Sequence, residues 1–183
     1  HMAYQLFLSY AFDHGDLSRV YPIARGTAQL IVVGVGAVVL DDVLSPMEYA
    51  GVLVLGVGIL AMAQGVISSG ESRRMLPYAF GSAVATAAYS LVDGAGARVS
   101  GDAVAYVGWL MMASALFYIP SAAAIRGRVV FSATARGWAL GLVAAVASYG
   151  AYAIVVWAMT EAPIALVTAL RETSVLFAMV LGW

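Results

Sequence analysis

Lysine and cysteine are absent, histidine occurs twice, and charge of either sign is scarce. Each shortage removes a class of function. Without cysteine there is no disulfide, no thiolate metal site and no cysteine nucleophile. The two histidines, His1 and His14, are too few for a zinc site without carboxylate help. No serine–histidine–acid set can be assembled from them. No glycine-rich P-loop is present, so direct ATP hydrolysis is not expected. A formal net charge of −1 offers nucleic acid no attraction. No basic stretch precedes the first apolar run, which therefore does not read as a signal peptide. The chain is expected to be neither an enzyme nor a holder of a cofactor or metal.

What fills the chain is apolar. Hydrophobic residues make up 63% and charged residues 10%, where soluble domains carry about 25% charge. A soluble fold could not cover that surface, so lipid is the expected solvent. One partial and six full spans can be marked: 1–12, 19–40, 47–68, 76–97, 103–125, 137–160 and 163–183. The connectors are short and hold most of the charge, leaving no room for a soluble domain. The first span has no flank and the last stops at Trp183 with no polar tail, so an internal fragment of a larger membrane protein is expected. Gly34, Gly36, Gly51, Gly56, Gly58, Gly81 and Ser82 suggest close packing of helix backbones. Loops after spans one, three and five carry Arg19, Arg73, Arg74, Arg126, Arg128 and Arg136, whereas the other side carries only Arg98. By the positive-inside rule the arginine-bearing loops are cytoplasmic.

Two arginines break the apolar pattern. Arg25 lies about two turns inside the second span and Arg171 about eight residues inside the last. An arginine at the centre of a membrane helix costs about 2.5–3.5 kcal/mol on insertion scales. Ionisable residues there are functional by default, and a guanidinium binds carboxylate or phosphate through its planar fork. The alternative is an ion pair joining helices, with Arg171 and Glu172 one such pair. Pro22 either interrupts a helix that begins upstream or opens one at its first position. Asp93, in SLVDGAG, is either a buried carboxylate that exchanges protons, a boundary carboxylate, or a partner for an arginine. Glu172 is a second proton-coupling candidate. Among the aromatic residues Tyr4, Tyr10, Tyr21, Tyr89, Tyr149, Tyr152 and Trp157, a cavity lining competes with an interfacial belt. Tyr89 and Tyr152, deep in their spans, favour the cavity. Tyr10, Tyr149, Trp109, Trp138 and Trp183 favour belt or packing.

The arginines also mark an internal repeat. VYPIARGTAQLI (20–31) lies over LVTALRETSVLF (166–177) without a gap, pairing Arg25 with Arg171 and Thr27 with Thr173. The preceding spans align less tightly, Tyr4 with Tyr152. Five helices then make one unit, and an odd number inverts the second copy. Inverted repeats place a transporter's site at the repeat interface near the bilayer midplane.

The blocks GDLSRVYPIARG, LDDVLSPMEYAGVLVLGVGILAM, SLVDGAGAR and WAMTEAPIALVTALRETSVLFA resemble the drug/metabolite transporter superfamily, EamA type. That resemblance covers nearly the whole chain and implies an all-α, polytopic membrane bundle of ten helices in an inverted five-plus-five repeat. This chain would correspond to helices three to nine, truncated at both ends. Residues 1–75 would be the C-terminal part of the first repeat and 76–183 the N-terminal part of the second. His1 and Tyr4 fit a family pattern near the start of helix three, and Asp42 stands where the family has glutamate. The family is usually drawn with both termini in the cytoplasm, opposite to the charge count. Efflux or exchange of metabolites or drugs is implied, in a bacterial inner (plasma) membrane.

The resulting expectation is a secondary transporter of an anionic or zwitterionic small organic solute working by alternating access. Substrate contacts are expected from Arg25, Arg171, Tyr89, Tyr152, Tyr21 and Thr173, and proton coupling from Asp93 and Glu172. Expected partners are the solute and the lipid bilayer, with a homodimer left open and no nucleic acid. The competing reading is a non-transporting membrane subunit or a membrane-embedded lipid-modifying enzyme. The enzyme would need a polar cluster at one interface, which these short loops lack. A channel would need rings of like residues.

Overall fold

The computed structural model describes residues 1–13, 17–40, 42–61, 74–127 and 131–174. Among these the chain forms seven helices and no strand. They are α1 (Met2–Phe12), α2 (Leu17–Val39), α3 (Pro46–Ala61), α4 (Met75–Ser100), α5 (Ala103–Arg126), α6 (Ala135–Glu161) and α7 (Ile164–Glu172). Helices α4, α5 and α6 are each long and apolar enough to cross a membrane. The 26 residues of α4 span about 39 Å at 1.5 Å per residue, more than the ~30 Å hydrocarbon core. Shorter apolar helical stretches occupy Ile23–Val39 and Pro46–Ala61. Helix α2 begins at Leu17, so Pro22 falls inside it rather than at its first position. The proline leaves the Ser18 carbonyl without its usual i+4 amide donor.

Local chemistry accounts for the helix ends. Before α3, the Glu48 side chain accepts from the Ser45 amide at 2.7 Å, while the Ser45 hydroxyl accepts from the Glu48 amide at 3.3 Å. This reciprocal capping box satisfies two donors that the helix cannot pair itself. Helix α4 stops at Gly101, which takes a left-handed conformation with φ 71°, and Asp102 then starts α5 by accepting from the Ala105 amide at 2.9 Å. The turn between α4 and α5 is consequently tight. Thr134 caps α6 through the Gly137 amide at 3.1 Å.

Helix α2 packs against α3 and α4, α1 lies along α4, and α5 pairs with α6. The short α7 is inserted among α2, α3 and α6. Its Ile164, Ala165, Val167 and Ala169 join Val32 and Val33 of α2, Val52 of α3 and Met159 of α6 in the largest buried cluster. Glycine permits one close crossing: a Cβ on Gly26 would lie 3.0 Å from Leu60 Cγ and 3.2 Å from the Gly56 carbonyl oxygen. The expectation of close packing fails at Gly34, Gly36, Gly51 and Gly58, where nothing described lies within 4 Å of a Cβ position. Gly34, Gly51 and Gly58 are exposed, whereas Gly36 is buried without a close neighbour at its Cβ position. Ser82 does join helices, donating to the Tyr4 carbonyl of α1 at 3.3 Å.

The outer faces of α5 and α6 are apolar. Trp109, Met112, Leu116 and Phe117 on α5, and Trp138, Leu142, Val146 and Ile154 on α6, are all exposed. Such a surface suits hydrocarbon and would be costly in water.

Candidate functional site

A cavity of about 1000 Å³ opens between the helices. Its lining draws on α1, α2 and α4 through α7, with His1 at the chain's start and Thr173 and Ser174 just beyond α7. Arg25, Arg171, Glu172, Tyr89, Tyr152 and Thr173 all line it. Of the expected solute contacts, only Tyr21 is not placed: it lies on α2, and its side chain is outside the described residues.

The charged cluster is built by two helices. On α2, Arg25 and Gln29 stand four residues apart and share a face. On α7, Ala165 and Glu172 are seven apart and also share one. Gln29 Nε2 donates to the Ala165 carbonyl at 2.9 Å, and Arg25 Nη1 donates to Glu172 Oε1 at 3.0 Å. Arg171 Nη2 reaches the same Oε1 at 3.5 Å. Consecutive residues on a helix point about 100° apart, and the length of the arginine side chain closes that gap. The two arginines therefore meet at one carboxylate oxygen. Glu172 is 5% exposed at its side chain, Arg25 26% and Arg171 18%. Arg25 thus also fulfils the structural alternative, an ion pair between helices 147 residues apart in sequence. Arg171 differs: its Nε is buried without a hydrogen-bond partner among the described residues.

A second cluster surrounds Asp93. This carboxylate is 3% exposed, well inside α4. Tyr152 Oη donates to Oδ2 at 2.5 Å, Tyr106 Oη donates to Oδ1 at 3.3 Å, and His1 Nε2 lies 2.8 Å from Oδ2. Its hydrogen-bond partners among the described residues are two tyrosines and a histidine. His1 also stacks on Tyr89 with ring centroids 4.3 Å apart, and Tyr4 lies 5.3 Å from Tyr89. These rings form an aromatic wall beside the guanidinium groups.

Tyr106 and the role of His1 escape a reading of spans. Tyr106 has a physical signal nonetheless: across the tight Gly101–Asp102 turn, residues equidistant from it face each other, which puts Tyr106 opposite Gly96 and Ala97. Gly96 makes room for that ring, since a Cβ there would lie 2.6 Å from Tyr106 Oη. Gly94 similarly lets Ile164 and Met159 close on α4. His1 reaches Asp93 because α1 packs along α4.

Other expectations resolve simply. Tyr149 donates to the Val104 carbonyl at 3.0 Å, a packing role. Tyr10 stacks on Tyr78 at 5.8 Å, and Trp109 and Trp138 are exposed. Trp183 and His14 lie outside the described residues. Thr173 spends its hydroxyl proton on the Leu170 carbonyl at 2.6 Å, so towards the cavity it can only accept. Among the described residues no three His, Asp or Glu side chains stand together to hold a metal. The cavity can therefore bind and orient a solute through guanidinium donors and aromatic faces.

Comparison with family models, with curated proteins and with solved structures returns no match to this chain.

Proposed function

We propose that this chain is a secondary membrane transporter of the drug/metabolite, EamA type, carrying a small organic solute with an anionic group. Arg171 is the observation that carries the reading. Arg171 lines a cavity large enough for a metabolite-sized molecule, and its Nε is buried without a hydrogen-bond partner among the described residues. A buried donor left unpaired costs about 1–3 kcal/mol, more when charged. A carboxylate or phosphate on the solute would supply the missing acceptor bidentately. The wall of Tyr4, Tyr89 and Tyr152 suits the organic part of such a solute. The meeting of Arg25 and Arg171, one from each repeat motif, supports an inverted repeat with its site at the repeat interface. Alternating access would rock the two halves about that site.

The test is reconstitution in liposomes with uptake of labelled organic anions, zwitterions and cations. Uptake should favour solutes with an anionic group, and Arg171→Ala should remove that preference. Uptake with unchanged solute preference in Arg171→Ala would rule the reading out.

A further inference from the structure

Among the described residues, two guanidinium groups meet the carboxylate of Glu172, and a single oxygen, Oε1, serves both. The two contacts are unequal: Arg25 holds the oxygen at 3.0 Å, whereas Arg171 touches it at 3.5 Å, the limit of a hydrogen bond. Arg171 thus has an anion beside it without being satisfied by it.

We infer that Glu172 is a tethered stand-in for the solute's anionic group. In the empty cavity its carboxylate shields Arg171. An incoming carboxylate or phosphate takes over Arg171, and Glu172 remains with Arg25. The inference rests on the proposed anion site and assigns its regulation. The stand-in is covalently attached one residue from Arg171, so it competes at high effective concentration. It is therefore a specificity-determining residue. A weakly basic, monodentate anion such as chloride cannot displace it, while an anion that engages the guanidinium fork at two points and covers the aromatic wall can. The same carboxylate keeps the charge of Arg171 from standing unneutralised in a low-dielectric site between transport events.

Removing the charge at Glu172 while keeping its shape should relieve the competition. The full chain in detergent micelles is titrated calorimetrically with sodium benzoate, sodium acetate and inorganic phosphate. Glu172→Gln should bind benzoate about tenfold or more tighter than the unaltered protein, the scale of one lost charged competitor. Adding Arg171→Ala to it should erase the gain. If the unaltered protein binds benzoate through Arg171 and Glu172→Gln binds it no tighter, the stand-in is overturned and the anion site survives. If neither protein binds any of the three anions, the anion site falls and the inference with it. Because Glu172 also joins α7 to α2, a melting experiment covers loss of folding. Glu172→Ala should be destabilised, and acetate should raise its melting temperature saturably while leaving that of the unaltered protein unchanged. Equal acetate response in the two overturns the proposal.

Discussion

Arg25 and Arg171 line one cavity but do different work. Arg25 forms the shorter contact with buried Glu172 and ties α2 to α7. Removing Arg25 leaves buried Glu172 with the longer contact to Arg171, so the loss is a part of the about 3–5 kcal/mol that breaking a fully buried pair costs. Arg25→Ala should therefore lower thermal stability in detergent clearly more than Arg171→Ala, measured by melting the two variants side by side. The reverse order would mean that Arg171 is the structural partner. Around Asp93 the donors can be ranked as well. Tyr152→Phe removes the 2.5 Å contact and Tyr106→Phe the 3.3 Å one. A hydrogen bond to a charged group contributes about 1.5–3 kcal/mol. Tyr152→Phe should cost the larger share of that range, readable in the same melts.

Between elements, one arginine ties three segments together. Arg98, near the end of α4, donates through Nη1 to Asp42 at 2.8 Å, through Nε to the Met159 carbonyl at 2.8 Å and through Nη2 to the Ala162 carbonyl at 3.0 Å. Asp42 in turn accepts from the Ile164 amide at 2.8 Å, the first amide of α7. The carboxylate caps α7 while the guanidinium covers carbonyls at the end of α6. This is what aims α7, and with it Arg171 and Glu172, into the bundle. Arg98→Ala should loosen the α6–α7 turn before the rest of the fold. Amide exchange over residues 159–166 should accelerate markedly while α4 itself stays protected. Exchange that rises uniformly, or not at all, would deny the arginine this local role.

At the scale of the whole molecule, an exposed apolar surface lies apart from the cavity side. Val146, 65% exposed on α6 and flanked by other exposed apolar residues, belongs to that apolar surface, which is expected to face lipid. A charged residue at the centre of a membrane helix costs about 2.5–3.5 kcal/mol on insertion scales. Val146→Arg should therefore reduce insertion of α6 strongly in a glycosylation-mapping assay, whereas Val146→Leu should leave it unchanged. Full insertion of the arginine variant would mean that this face is not in lipid.

Helix existence and approximate limits were legible in the residues, because length and apolarity are local properties and an isolated span must satisfy its own backbone in lipid. The expected span 76–97 became α4 at Met75–Ser100, and 103–125 became α5 at Ala103–Arg126. The unusual cost of a membrane arginine also singled out Arg25 and Arg171 without any coordinates. Partnership was not legible. Nothing along the chain tells Arg25 that its carboxylate stands 147 residues away, or tells Asp93 that it will meet His1, Tyr106 and Tyr152. Glycines read as packing sites divided into those at a crossing, such as Gly56, and those facing open space, such as Gly34. A sequence determines what each helix must hide from lipid; which groups then share one cavity is decided by how the helices rotate and cross, and that is a property of all of them together.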